Sequence, residues 1–193
     1  MNKKPLERLE KTAFHLFYKL GYPDTSMVEL LKESGSFRKS FYRYFSNKKD
    51  LGNRYILMQK EYYLTFFTTL TQKYFAFEDF WPAWIKFLKK NIRNSTYRGC
   101  PFANLTNQTY GSEDNFSALI KDAILSWQEL LQIYFTQCTF QQKNISTEQA
   151  TFLSKHIMVM YEGALQMYTM TQDKSYIELL EKDVLKFIQN CVN

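Results

Sequence analysis

The chain has little punctuation. Its 193 residues include only six glycines and four prolines, so long helices are expected rather than a turn-rich sheet. Cysteine is scarce. Cys100, Cys138 and Cys191 are odd in number, far apart and in no CxxC arrangement, which argues against a disulfide framework. Only His15 and His156 are on hand to complete a metal site, and no metal or cofactor is expected. Long apolar runs are missing too. The longest, Ile157 to Tyr168, covers 12 residues and contains Glu162 and Gln166, too short and too polar to span a bilayer. Met1 is followed by Asn2-Lys3-Lys4-Pro5 with no apolar segment behind it. No signal peptide is therefore expected, and a reducing, cytoplasmic setting fits best. There is no G-x-G-x-x-G, no Walker motif, no H-E-x-x-H and no serine elbow, and both histidines fall in amphipathic patterns, so an enzyme is not expected.

What the chain does have is aromatic side chains and a lopsided charge. Aromatics make up 18% of the residues, a high share. Residues 1–60 carry 13 Lys and Arg against 6 Asp and Glu, while residues 61–193 carry 12 against 13. The basic excess is confined to the N-terminal third, which suits a polyanion-binding module joined to a neutral body. The plain alternative for those lysines is a solvated surface.

The N-terminal third also holds the most informative stretch, Thr25 to Leu51. Met27, Leu30 and Leu31 share one helical face before Gly35; Phe37, Phe41, Tyr44 and Phe45 share another after it. A glycine between two such runs provides the backbone freedom for a sharp helix-to-helix turn. The second run carries Arg38, Lys39, Tyr42 and Arg43, and two short helices so arranged make a helix-turn-helix for the major groove. Ahead of it, Pro5 suits a first helical turn. Leu9, Ala13, Leu16, Phe17 and Leu20 then form an apolar stripe that ends at Gly21, with Lys3, Lys4, Arg8 and Lys11 near its start. Thr25 is read as the N-cap of the second helix, and Ser46 or Asn47 as the cap of a long fourth helix starting at Lys48. Helical stripes follow over about 78–93, 98–105, 116–135, 150–171 and 175–191. Residues 141–146 read as a polar loop, with Ser146 a cap candidate. The expected fold is all-α, with about nine helices: a helix-turn-helix domain over residues 1–47 and a larger helical domain over 48–193.

The residues from about 6 to 54 resemble the N-terminal signature of the TetR family of bacterial transcriptional regulators. The resemblance rests on Ala13-Phe14-His15-Leu16-Phe17, Gly21-Tyr22, Thr25-Ser26, Gly35, Tyr42-Arg43-Tyr44-Phe45 and Lys48-Lys49-Asp50-Leu51. Arg98 to Leu105 and Tyr161-Glu162-Gly163-Ala164-Leu165 are similar to recurring segments of the C-terminal domain in one branch. The resemblance implies an all-helical homodimer paired through its last two helices, with central helices enclosing a small-molecule inducer. It further implies a repressor on a palindromic operator, released by a small, largely apolar or aromatic ligand. The alternative is a helical interaction or ligand-binding protein whose degenerate helix-turn-helix no longer binds DNA specifically. One departure lies at Ser36-Phe37, where the family has an aliphatic residue and then a small hydroxyl cap. Either Ser36 is the cap, or Phe37 stands at the cap position and packs inward.

For DNA, Lys48, Tyr42 and Thr25 are the phosphate-contact candidates, which would set register without reading sequence. Arg38, Lys39, Ser40 and Arg43 are candidates for base edges, an arginine being able to grip guanine through two bonds. Phe41 and Phe45 read as core. For the ligand, Trp84, Trp127 and Tyr161 are the pocket candidates, although aromatics at helical spacing more often build a core. Cys100 reads as structural.

Overall fold

A computed structural model of the chain describes residues 4–94 and 97–192. Lys3, counted with the basic start of the first helix, and part of the break at 94–101 lie outside the described residues. Among those residues the chain forms nine helices: α1 (Pro5–Lys19), α2 (Met27–Glu33), α3 (Arg38–Tyr42), α4 (Lys48–Lys73), α5 (Phe77–Ile92), α6 (Pro101–Thr109), α7 (Ser117–Gln137), α8 (Thr147–Thr171) and α9 (Ser175–Val192). A two-stranded hairpin, β1 (Thr139–Phe140) and β2 (Lys143–Asn144), precedes α8. The packing divides into two compact units, Met1–Tyr62 with Pro101–Ala123, and Tyr63–Cys100 with Ile124–Asn193.

In the first unit, α1 starts at Pro5 and buries Leu9, Ala13, Leu16 and Phe17 of the predicted stripe, while Leu20, its last member, stands at the helix C-cap and is exposed. The cap of α2 is Ser26, not Thr25: the Ser26 hydroxyl accepts the Glu29 N–H at 3.1 Å. Helix α2 ends in a left-handed turn. Gly35, at φ +57°, donates its N–H to the Lys32 carbonyl at 3.1 Å, and Ser36 donates to the Leu31 carbonyl at 3.0 Å. These two bonds form a Schellman motif, which satisfies carbonyls at the helix end and fixes the chain's exit direction. The sequence signal at Gly35 thus marks a turn that needs positive φ. Helix α3 is shorter than the predicted 37–45, only five residues. Asn47 is the cap of α4, accepting the Asp50 N–H at 2.9 Å, while the Asp50 carboxylate accepts the Ser46 N–H.

The second unit is built around aromatics. Phe67, Phe77, Phe80, Trp81, Trp84, Trp127, Tyr134 and Phe135 all belong to one buried cluster, which also takes in Leu165, Leu180 and Val184 from α8 and α9. The Trp81 indole N–H donates to the Glu181 carbonyl at 3.0 Å, the kind of polar handle a buried tryptophan needs. Ser146 caps α8 in a reciprocal box with Gln149, as its position suggested. The expected polar loop at 141–146 is in fact partly a hairpin. Gln141 and Gln142 both take positive φ, the backbone of a tight two-residue hairpin turn, and the Glu78 carboxylate accepts the Gln141 N–H. Neither residue is the Asn or Gly that usually announces such a turn. Burial pushes the Cys138 thiol up to about 12, so it is a packing residue rather than a reactive one.

Gly52 sits inside α4 where rings press on the backbone. A Cβ there would meet Phe116 Cζ at 2.6 Å and Tyr22 Cε2 at 2.9 Å. Helix propensity favours alanine over glycine by about 1 kcal/mol, whereas overpacking a filled site costs about 1–3 kcal/mol. Gly52→Ala is expected to lower the urea midpoint despite its better propensity; a raised midpoint would show that the two rings repack freely.

Candidate nucleic-acid interface

The interface is assembled from the turn outward. Helix α1 lends Arg8, whose guanidinium donates to the Ser34 carbonyl at 2.9 Å and the Gly35 carbonyl at 3.2 Å. Arg8, grouped by sequence with the basic start of α1, therefore braces the turn. Phe41, fully buried, and Phe45 anchor α3 and the segment after it, as expected. With the inner face fixed in this way, Arg38, Lys39, Tyr42 and Arg43 stand exposed, and Ser40 is half-buried. Arg38, Lys39 and Arg43 enter no ion pair among the described residues. The result is a short cationic helix surface, braced from behind by apolar packing and by an arginine on carbonyls.

Phe37 settles the departure in a way neither expectation allowed. It occupies the cap position, with φ −88° and ψ 153° and no side-chain cap bond, yet it is 81% exposed. Ser36 is buried, its hydroxyl turned toward the Ser34 carbonyl at 3.4 Å.

Thr25 does not belong with the exposed residues. It is 0% exposed, and its hydroxyl donates to the Gly21 carbonyl at 2.7 Å. The physical reason is Gly21, whose φ of +101° turns its carbonyl back to meet both the N–H and the hydroxyl of Thr25. Thr25 thus has no surface to offer a phosphate.

Lys48, at the first turn of α4, is partly exposed. Its ammonium lies 4.4 Å from the centre of the Tyr22 ring and donates to the Pro23 carbonyl at 3.3 Å. Burial draws its pKa down, opposed by the charges of Asp114 and Asp24. Tyr22 is itself tied down: its N–H donates to Gln108 Oε1 at 3.0 Å and its hydroxyl to Asp114 Oδ2 at 2.7 Å. Burial, then the Asp114 carboxylate, raise its pKa. Sequence reading had noted Tyr22 only within the Gly21-Tyr22 pair and had passed over Gln108 and Asp114. Gln108 and Asp114 lie 86 and 92 residues along the chain from Tyr22, so no local pattern could join them.

The three ligand candidates come together in the second unit. Ring centres of Trp84 and Trp127 are 5.8 Å apart, those of Trp84 and Tyr161 are 4.9 Å, and those of Trp127 and Tyr161 are 5.7 Å. All three are buried, and the indole N–H groups of Trp84 and Trp127 have no hydrogen-bond partner among the described residues. A cleft of about 450 Å³ lies elsewhere in that unit, walled by Leu64, Thr68, Ser126, Leu130 and Tyr134 among others; the triad does not line it. No group of three or more His, Cys, Asp and Glu side chains suited to a metal ion occurs among the described residues. Nor is any helix there long and apolar enough to cross a membrane.

A cationic helix held behind a Schellman turn is the working surface of a DNA-binding transcriptional regulator, and the comparisons give the same class. The profile for "Bacterial regulatory proteins, tetR family" matches residues 10–54, and that for "Transcriptional regulator LmrA/YxaF-like, C-terminal domain" matches residues 78–183. The chain belongs to the TetR family, whose members are non-enzymatic DNA-binding regulators. A curated relative from Lactococcus lactis subsp. lactis, an uncharacterized HTH-type transcriptional regulator in the lacX 3' region, is 21% identical over 176 residues, covering 89% of this chain and 87% of its own. The fold is similar to that of a TetR family transcriptional regulator from Agrobacterium tumefaciens, with a TM-score of 0.80, 16% identity and coverage of 95% and 98% of the two chains. A TetR transcriptional regulator from Legionella pneumophila gives a TM-score of 0.79 at 18% identity over 100% of both chains.

The placement of Thr25 can be tested directly. Thr25→Val removes one buried hydrogen bond and is expected to cost about 1 kcal/mol of stability in urea unfolding. The salt dependence of DNA binding by the folded variant should match that of the parent, whereas a flatter slope would restore Thr25 as a phosphate contact.

Proposed function

We propose that the protein is a repressor that binds a palindromic operator as a homodimer and is released by a small, largely apolar or aromatic ligand. The observation that carries the DNA half is the set of exposed side chains on α3 and its C-cap, namely Arg38, Lys39, Tyr42 and Arg43, behind a turn braced by Arg8. In this reading Arg38, Lys39, Ser40 and Arg43 face base edges, and Tyr42 and Lys48 hold the phosphate backbone. Lys48 suits that task because its ammonium adds to the positive end of a long helix. Thr25 is left out, being buried. Residues 1–47 supply the DNA-binding domain and residues 48–193 the ligand and dimer functions, although 101–123 pack in the same unit as α1 to α3.

The ligand half rests on Trp84, Trp127 and Tyr161. Two buried indole donors without acceptors cost on the order of 1–3 kcal/mol each, so a ligand bringing acceptor atoms to an aromatic site would gain from meeting them. The dimer half rests on α8. Phe152, Val159, Gly163 and Met170 all lie exposed along one helical face, Val159 at 72%. Leu179 of α9 is exposed as well. Apolar exposure along a helix that packs against α9 is what an isologous interface through the last two helices would cover. Two such protomers would present two copies of α3 to the two halves of a palindrome.

Selection of bound sequences from random duplex DNA tests the whole reading: an enriched palindrome is expected, and none would favour an interaction protein that has left DNA. On that operator, Lys48→Ala should reduce the slope of log affinity against log salt by about 1 per half-site; an unchanged slope removes Lys48 from the phosphate contacts. Gly163 tests the dimer. A Cβ there meets nothing within 4 Å of its own chain, so Gly163→Trp should leave helical content intact. Sedimentation should then show monomers where the parent is dimeric. A persistent dimer would move the interface off this face of α8.

A further inference from the structure

We propose that Phe37 is a base-reading residue of this operator complex, its ring packing on the 5-methyl group of a thymine in the major groove. The inference rests on the reading of α3 as the recognition helix and adds to it a residue that no cationic pattern would reveal.

Phe37 is the most exposed phenylalanine among the described residues, at 81%. It also stands where a polar residue would serve the fold better. A Ser, Thr, Asp or Asn at a cap position contributes about 1 kcal/mol, and Phe37 makes no cap bond with its side chain. Ser36 does not take over, because its hydroxyl turns to the Ser34 carbonyl and the residue is buried. The helix start is instead held by backbone alone, with the Phe37 carbonyl accepting the N–H groups of Ser40 at 2.9 Å and Phe41 at 3.1 Å. The main chain of Phe37 is therefore fixed while its ring is left in solvent. An exposed ring on a fixed backbone contributes nothing to this chain's own core.

The surroundings decide what covers the ring. Phe37 is followed at once by Arg38 and Lys39, both exposed. Protein interfaces deplete lysine around their aromatic anchors, so a ring set among free cations fits a polyanion better. Recognition helices meet base edges with their N-terminal residues, and Phe37 is the residue at that end of α3. In the major groove only one base offers an apolar feature. It is the thymine methyl, which phenylalanine is suited to contact. The charged neighbours are suited to phosphates or guanine, and the ring adds an A·T preference beside them.

The test compares the parent with Phe37→Ala and Phe37→Leu on the operator obtained by selection. Each thymine is replaced in turn by deoxyuridine, which removes only the methyl group. One position in each half-site should weaken parent binding about fourfold, the effect of uncovering one methyl-sized group. Phe37→Ala should bind the thymine operator more weakly by a similar factor and be indifferent to uracil at that position. Phe37→Leu should retain most of the sensitivity, and a repeated selection with Phe37→Ala should lose the thymine preference there. Equal uracil losses for parent and Phe37→Ala at every position would overturn the proposal. So would unaltered affinity of Phe37→Ala, or a change in its oligomeric state in sedimentation, which would make the ring a protein contact. A parent that enriches no sequence would instead defeat the underlying DNA-binding reading, and this proposal with it.

Discussion

The first unit depends on what surrounds one tyrosine. Tyr22 sits at the end of α1, edge-on to Phe17 at 5.1 Å and to Phe116 at 5.0 Å. Its hydroxyl binds Asp114, its N–H binds Gln108, and the ammonium of Lys48 lies over its ring. One residue thus collects α1, α4, α6 and the segment before α7. Gly52 exists to let this happen, since any Cβ there would strike both Tyr22 and Phe116. The cation over the ring and the carboxylate on the hydroxyl act in concert: Asp114 favours the charged form of Lys48 against the burial that disfavours it. Displacement of residues 113–116 cannot leave Lys48 undisturbed, because Tyr22 is held by one and supports the other.

The same accounting changes the meaning of the basic N-terminal third. Its charge excess, read from the sequence, looks like a single positive surface. In the structure much of it is engaged. Arg8 serves the Gly35 turn, Arg54 pairs with Glu10, Lys60 pairs with Asp122, and Lys49 donates to the Glu113 carbonyl. Exposed ion pairs of this sort contribute little to stability, but they do neutralise charge locally. Among the described residues, what is left outward-facing and outside any ion pair is spread over Lys4, Lys11, Lys19 and Lys32 on or beside α1 and α2 as well as Arg38, Lys39 and Arg43, and only the last three stand together in one short stretch.

Most of the fold was legible in the sequence because it is written locally. The stripe of α1, the glycine of the α2–α3 turn, the cap at Ser146 and the inward faces of α5 and α7 all follow from period and capping within a few residues. What escaped was non-local or turned on one residue's choice. Ser26 caps α2 because Thr25 is drawn inward by the Gly21 carbonyl, a bond that a cap ranking does not see. The hairpin at 139–144 escaped because Gln141 and Gln142 carry none of the usual turn chemistry, and its geometry is supported by Glu78 from α5. The packing of residues 101–123 with α1 to α3 escaped because it pairs positions some ninety residues apart. Arg38, Lys39, Tyr42 and Arg43, singled out by residue type and spacing, stand exposed. Thr25 was lost to burial, and Phe37 appeared only once its exposure was known.

That last difference is informative about how aromatics should be read. Aromatic side chains at helical spacing were taken as core, and for Phe41, Phe45, Trp81 and Phe135 the structure agrees. The rule fails at Phe37 for a reason that the rule itself contains. Helical period assigns a face only to residues within the helix, and a cap residue has extended dihedrals that point its side chain by a different geometry. Period therefore placed Phe37 with Phe41 on the inner face, while its ψ of 153° removed it from the series. Single exposed apolar residues are ordinary on protein surfaces and call for no explanation. This one differs because of where it stands: at the start of α3, beside two exposed cations, in place of the hydroxyl cap that would have stabilised the helix. A residue that forgoes local stability at a binding surface is better explained by what the surface meets than by what the fold requires.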